Sequence, residues 1–256
     1  MQPYREGMVK YESTCIHDLS ISWRDGHVVI QLPEQARIWS SAVFNGGQTT
    51  GNCIINHMVN KHFVCNDPVQ YMKDLCMEWR YEPADTVGLI TAAKITHLSV
   101  EEMAGDEFSL LCCSTAGTSN AARAGVPREV FSSYLTLEDS DESEETAQEN
   151  VKRQQPGTIN TVIVLDGKLT DAAVWNLLMV AAEAKSAALS DLAIQDRETG
   201  MIATGTTTDT VVIAVLDRGT YIREHLYGGT ATTLGCSAGQ LVYQTVYEAV
   251  RTQSED

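Results

Sequence analysis

Hydrophobic and polar positions alternate near the start of the chain, then gather into longer apolar runs separated by small polar clusters. Leu19 to Trp23 and His27 to Leu32 alternate on either side of Arg24-Asp25-Gly26, which predicts a β-hairpin. A third strand is expected from about Arg37 to Phe44, running into Asn45-Gly46-Gly47. Asp67-Pro68 opens a helix, with Asp as N-cap, Pro in the first turn, and Val69, Met72, Leu75, Cys76 and Trp79 as its apolar face. Thr86 to Lys94 and Phe108 to Ser114 read as buried strands, and residues 1–16 carry no clear pattern.

The strongest pattern lies between Gly157 and Asp217. β-Branched runs at Ile159 to Leu165 and Thr210 to Leu216 flank a helical period over 170–191, a strand–helix–strand unit. Thr170 suits its N-cap, Asp171 sits near the positive helix end, and Ala173, Ala181, Ala184 and Ala188 permit close packing. Asn176 and Glu183, seven apart, fall on one face among mostly apolar neighbours, where a buried carboxylate would mark a working site. Lys185 points elsewhere on the helix and reads equally well as a surface charge. A last helix is expected over about Thr233 to Thr252, with Leu234, Ala238, Leu241, Thr245 and Ala249 as its buried stripe. The fold class is therefore α/β: a single layered domain with a mixed central β-sheet packed by helices and an N-terminal β-hairpin. Strand order is not readable.

Composition adds bounds. A chain of 256 residues fits one large domain, and the acidic, Ser-rich run over 136–156 reads as a surface insert within it. That run supplies Glu138, Asp139, Asp141, Glu142, Glu144, Glu145 and Glu149 to a net charge of −16. The remainder is still acidic, which argues against nucleic acid as a partner. Met1 to Lys10 is polar and charged, and the most apolar helix is interrupted by Asn176, Glu183 and Lys185, so neither a signal peptide nor a membrane span is expected. The expected location is cytoplasmic. Seven cysteines without a regular framework read as reduced, mostly buried thiols. Cys53, His57, His62 and Cys65 lack a Cys-x-x-Cys knuckle, so no metal site is assigned, although Cys53 and His57 would share a helical face. An apolar, Ala-rich helix leaves homo-oligomerisation open.

Three similar clusters border the apolar runs: Gly117-Thr118-Ser119-Asn120, Gly157-Thr158-Ile159-Asn160 and Gly205-Thr206-Thr207-Thr208-Asp209. Each alone reads as an ordinary Gly/Thr/Asx turn; three together suggest one pocket at a sheet edge. The segments Ser40–Gly47, Thr115–Gly125, Gly157–Asn160, Glu183-Ala184-Lys185 and Ala203–Asp209, in order and spacing, resemble the adenosylcobinamide amidohydrolase family over roughly residues 37–251. The resemblance implies hydrolysis of the amide joining the corrin side chain to aminopropanol, a corrinoid-salvage step that yields adenosylcobyric acid. It implies a corrinoid substrate and no cofactor. On that footing Asp209 is expected as general base, acting on water or on Thr206 or Thr207, with Glu183 or His57 as proton donor. Asn45, Gly46, Gly47, Gly117, Ser119, Asn120, Arg123, Thr158, Asn160 and Gly205 are expected around the substrate, with Asn120, Asn160 and the amides near Gly117 and Gly205 stabilising an oxyanion.

The family pattern has basic residues before the Leu-Gly of the last helix and a Glu after it. This chain has Thr230-Ala231-Thr232-Thr233-Leu234-Gly235-Cys236. Gly235-Cys236-Ser237-Ala238-Gly239 has the Gly-x-Ser-x-Gly spacing but lies inside the last expected helix and not at a strand-to-helix turn, so no nucleophile elbow is read, and no Gly-x-Gly-x-x-Gly occurs. A corrinoid- or nucleotide-binding module without catalysis, and an amidohydrolase acting on another amide, stay open as alternatives.

Overall fold

The structure, a computed structural model, describes residues 1–128 and 157–255. The acidic run over 136–156 lies outside the described residues. A large curled mixed sheet is the frame. Its main path runs β1 (Lys10–Glu12), β2 (Ser20–Arg24), β3 (His27–Ser40), β12 (Thr210–Leu216), β9 (Ile159–Asp166), β7 (Phe108–Ala116) and β6 (Ser99–Gly105). β4 (Gly47–Met58) pairs with the far side of β3 and carries β5 (Thr86–Thr91) in parallel. Short two-residue pairs, β8 (Ala121–Ala122) with β11 (Gly205–Thr206) and β10 (Lys168–Leu169) with β13 (Glu224–His225), tie the loops.

The hairpin forms where expected, turning at Asp25-Gly26 with Gly26 at φ 78°. Strand β3 differs from expectation. It is one element of 14 residues, not two strands broken near Leu32. The interruption is a register shift against β4 between Gln31 and Ala36, and Pro33 sits inside it, where no ladder N–H is required. The first half of β3 pairs with β2 and the second with β12, so the bulge is where the sheet curls. β4 holds Cys53 and His57 on a strand, not on a helical face.

Curling makes two halves of the sheet face each other. Ile30, Ile54, Val87 and Leu89 from one half pack with Leu111, Cys113, Val162, Val164 and Val212 from the other. The opposite face of β7, β9 and β12 is covered by α2 (Asp171–Asp191) and α3 (Thr233–Thr252), which meet Ile163, Leu165 and Ile213. Contacts on both faces explain why every residue of β9 is buried. α1 (Pro68–Trp79), capped by Asp67 as expected, places Met72 and Cys76 on Val29, Cys53 and Ile55 outside the other half. Thr170 caps α2 and Thr232 caps α3. By length and apolarity α2 does reach the requirement for a membrane span, contrary to the sequence expectation. Seven of its residues, Leu177 and Leu189 among them, are buried in the core, while Trp175 and Met179 are exposed.

Candidate active site

β9 and β12 run parallel and in register from the Asn160/Thr210 pair onward. Antiparallel β7 arrives at the same level, with Thr115 opposite Asn160. Three loops are therefore neighbours at one end of the sheet: 117–120 after β7, 157–158 before β9, and 205–209 before β12. They are sewn together. The Gly117 N–H donates to the Thr158 carbonyl at 2.9 Å. The Thr158 hydroxyl donates to the Thr208 carbonyl and the Thr208 hydroxyl to the Gly157 carbonyl, each at 2.6 Å. Asn120 Nδ2 donates to Thr207 Oγ1 at 2.8 Å. Glycine is required at two of these corners by crowding: a Cβ on Gly157 would collide with Asn120 and Ser119, and one on Gly205 with Asp209 and Lys185.

Asp209 is the hub. Its Oδ2 pairs with the Lys185 ammonium and accepts the Thr206 backbone N–H at 3.0 Å. Its Oδ1 accepts the Thr206 hydroxyl and the Ile159 N–H, the latter at 3.1 Å. The Lys185 and Asp209 side chains are only 14% and 11% exposed, and pairing is what makes a charge tolerable there. Four donors fill the carboxylate's acceptor sites, so the proton best placed to reach it is the Thr206 hydroxyl's.

Other expected residues go elsewhere. Glu183 is exposed on α2, so it does not supply the buried carboxylate expected of that face; Lys185 is the α2 side chain that turns inward. The face is wrong because a helix turns about 100° per residue, which places residues 183 and 185 on opposite sides. Asn176 instead accepts the Gly228 N–H at 3.2 Å. Arg123 spends its guanidinium on the Ile202 carbonyl at 2.8 Å, while its N–H and Arg128 both serve the buried Asp196 carboxylate. Asn45 ties the Pro83 and Thr86 carbonyls, at 2.8 and 2.7 Å, ahead of and into β5. Gly46 packs onto the Ala42 carbonyl, and Gly47 pairs with Ser40 at the start of β4. From this corner it is Ser41 that meets the start of β12, exchanging bonds with Val211. The Gly117 N–H and the Asn120 and Asn160 amide nitrogens, expected as oxyanion donors, are spent on protein acceptors.

His57 faces α1, on the side of β4 opposite Asn56. Its ring contacts the Gly26 carbonyl at 3.2 Å and the Tyr71 hydroxyl at 2.8 Å. Across the ladder, His27 stacks on Trp79 with ring centroids 3.8 Å apart. Burial pushes both imidazoles below the ordinary histidine range, against smaller opposing pulls from the Gly26 and Asp25 carbonyls; Arg24 lowers His27 further and the Asp25 carboxylate opposes it. The unfolded chain therefore takes up protons first as pH falls below about 6.5. The stability these groups contribute is complete above that value and is lost as the pH falls toward their lower folded range. The melting temperature should accordingly fall more steeply from pH 7 to pH 5 in the parent than in His27→Phe, which keeps the stack on Trp79. Parallel curves would refute this.

Among the described residues no group of three or more His, Cys, Asp or Glu side chains is arranged to hold a metal ion. Burial pushes the Cys53 and Cys112 thiols up to about 12, which suits packing and not reactivity.

Residues 12–256 match the family profile described as adenosylcobinamide amidohydrolase. The chain belongs to that family. A protein named adenosylcobinamide amidohydrolase from Halobacterium salinarum is 29% identical over 223 residues, which are 85% of this chain and 82% of that protein. One of the same name from Methanosarcina mazei is 25% identical over 221 residues, 84% of this chain and 90% of that one. Among solved structures, the PH0078 protein from Pyrococcus horikoshii aligns at 12% identity and a TM-score of 0.38, covering 91% of this chain and 78% of its own, too loose a likeness to carry function.

The stretch 229–236, which the resemblance to the adenosylcobinamide amidohydrolase family leads one to expect as a departure, has a defined place in the fold. That stretch forms the capping turn of α3, and Gly228 lies on Ala173 and Leu177 in the first half of α2. Leu177 and Lys185 are separated by roughly 12 Å along the helix axis at about 1.5 Å per residue. The altered residues therefore adjoin the other half of α2 from the Asp209 hub.

Proposed function

We propose that this chain hydrolyses the amide linking aminopropanol to the corrin side chain of adenosylcobinamide, releasing adenosylcobyric acid and the amino alcohol. The observation that carries the reading is the Thr206 hydroxyl donating to Asp209 beside the Lys185 ammonium, in a chain matched to this family over nearly its whole length. A hydroxyl bonded to a carboxylate is the contact that a nucleophile and its base require.

In this reading the Thr206 oxygen attacks the amide carbonyl as Asp209 takes its proton. The ammonium of Lys185 offsets the charge that develops on the carbonyl oxygen. The carbon–nitrogen bond breaks and the departing amine receives the proton held by Asp209. Water then attacks the Thr206 ester, giving the acid and returning the proton to Thr206. Thr207, whose hydroxyl accepts the Asn120 amide, is the weaker choice of nucleophile. Glu183, exposed on α2, and His57, bonded to Tyr71 of α1, are given no step in this reading.

The purified chain incubated with adenosylcobinamide should yield adenosylcobyric acid by mass spectrometry. Binding of the corrinoid without product would point instead to a corrinoid-binding module.

A further inference from the structure

Asn160 carries a second signal on the other side of β9. It lies on the face of Val162 and Val164, between the two halves of the curled sheet, and is 2% exposed. Its Nδ2 donates to Asn56 Oδ1 at 2.9 Å and to the Ile90 carbonyl at 3.2 Å. Its Oδ1 is buried and meets no donor among the described residues. The amide orientation is not interchangeable: the Ile90 carbonyl can only accept, so nitrogen must face it and oxygen must face away. Asn56 in turn donates to Thr115 Oγ1 at 2.9 Å, which leaves the Thr115 hydroxyl proton to be given onward.

Buried carbonyl oxygens almost always have a donor, so this one marks a place for a partner. Thr115 and Asn160 lie at the end of the sheet that carries the Asp209 hub, and their bonds reach Asn56 and Ile90 near the ends of β4 and β5. Ile90 and Thr210 beside them are partly exposed, so this cluster lies close to the surface. None of its four members is charged. A charged group would be buried there without a counterion, at high cost. What fits is neutral and carries both an N–H and a C=O.

We propose that this recess binds a carboxamide arm of the ligand, Asn160 Oδ1 accepting its N–H and the Thr115 hydroxyl donating to its carbonyl. The identity of that ligand as an amide-bearing corrinoid rests on the function proposed above; the chemistry of the recess does not. Asn160 then acts as an acceptor that grips the substrate beside the cleavage point, the reverse of an oxyanion donor.

The full chain is titrated with propionamide and with methyl propionate, which has the carbonyl but no N–H, by ligand-observed NMR. Propionamide should bind at least about tenfold more tightly than the ester, and Asn160→Ala should remove that difference. Asn56→Ala is the control. It breaks the same Asn56–Asn160 bond and should cost similar melting temperature, yet it leaves the acceptor in place and should keep most of the preference for the amide. Equal binding of amide and ester by the parent, or equal loss of preference in both variants, would overturn the proposal. Turnover of adenosylcobinamide is scored separately. No turnover with amide preference intact removes the hydrolase reading and leaves the recess; normal turnover with no amide preference removes the recess alone.

Discussion

Asp209→Asn is expected to lower turnover of adenosylcobinamide by about 10²–10⁴-fold, the range that a positioned proton acceptor contributes. The substitution conserves shape, and the loop remains anchored by bonds that do not involve Asp209: Thr158 to Thr208, Thr208 to Gly157, and Asn120 to Thr207. The amide has one acceptor oxygen where the carboxylate has two. Because Thr206, Ile159 and Lys185 all donate to Asp209, the new NH₂ group must face at least one donor. A stability loss of about 1–3 kcal/mol is therefore expected as well. Product formation measured below the melting temperature of the variant separates the two effects. Turnover within a few-fold of the parent would remove Asp209 as the base.

Lys185→Met should have the largest effect on stability. The ammonium is the one cation that pairs with Asp209 among the described residues, and the pair is largely shielded from water. Removing one member of such a pair leaves the other buried and uncompensated, which costs about 3–5 kcal/mol, and less here in proportion to the residual exposure. For a protein of this size that is a drop in melting temperature of roughly 6–15 °C. Met keeps most of the aliphatic stem, so the loss reports charge more than packing. Combining Lys185→Met with Asp209→Asn should recover part of the loss, because the stranded charge is then gone. Purely additive losses would show that the pair contributes nothing of its own. Turnover should also fall in Lys185→Met, since the positive charge beside the carbonyl oxygen is removed.

Lys185 shows how far a linear reading reaches. Its helix was legible from end to end, since the 3.6 period, the Thr170 cap and the alanines all agree with α2 as found. Which polar side chain on that helix meets the loop at Gly205–Asp209 was not, and Glu183 looked the better choice. Periodicity gives the angles between side chains on a helix but not which angle faces a neighbouring loop. β4 shows a second limit. Its first half, Gly47-Gln48-Thr49-Thr50-Gly51-Asn52, contains the strand-poor Gly47, Gly51 and Asn52 and buries only Gly51, so only pairing with β3 makes it a strand. Reading Cys53 and His57 as a helical pair followed from missing that strand, and it concealed Asn56. β6, half-exposed along Glu101–Gly105, went unread for the same reason.

What the sequence determined alone was the strand–helix–strand unit, both long helices, the N-terminal hairpin, and the likeness that placed three Gly/Thr corners in one family pattern. Local chemistry suffices for these, because caps, β-branched runs and turn glycines act over a few residues. Only the tertiary structure decided that β12 returns parallel beside β9, and that Lys185 rather than Glu183 meets Asp209. It alone put Asn160 and Asp209 on opposite faces of one strand end. Each of these depends on which residues far apart in the chain become neighbours, and that is settled by burying apolar surface on both faces of the sheet at once, a sum over the whole core that no short segment contains.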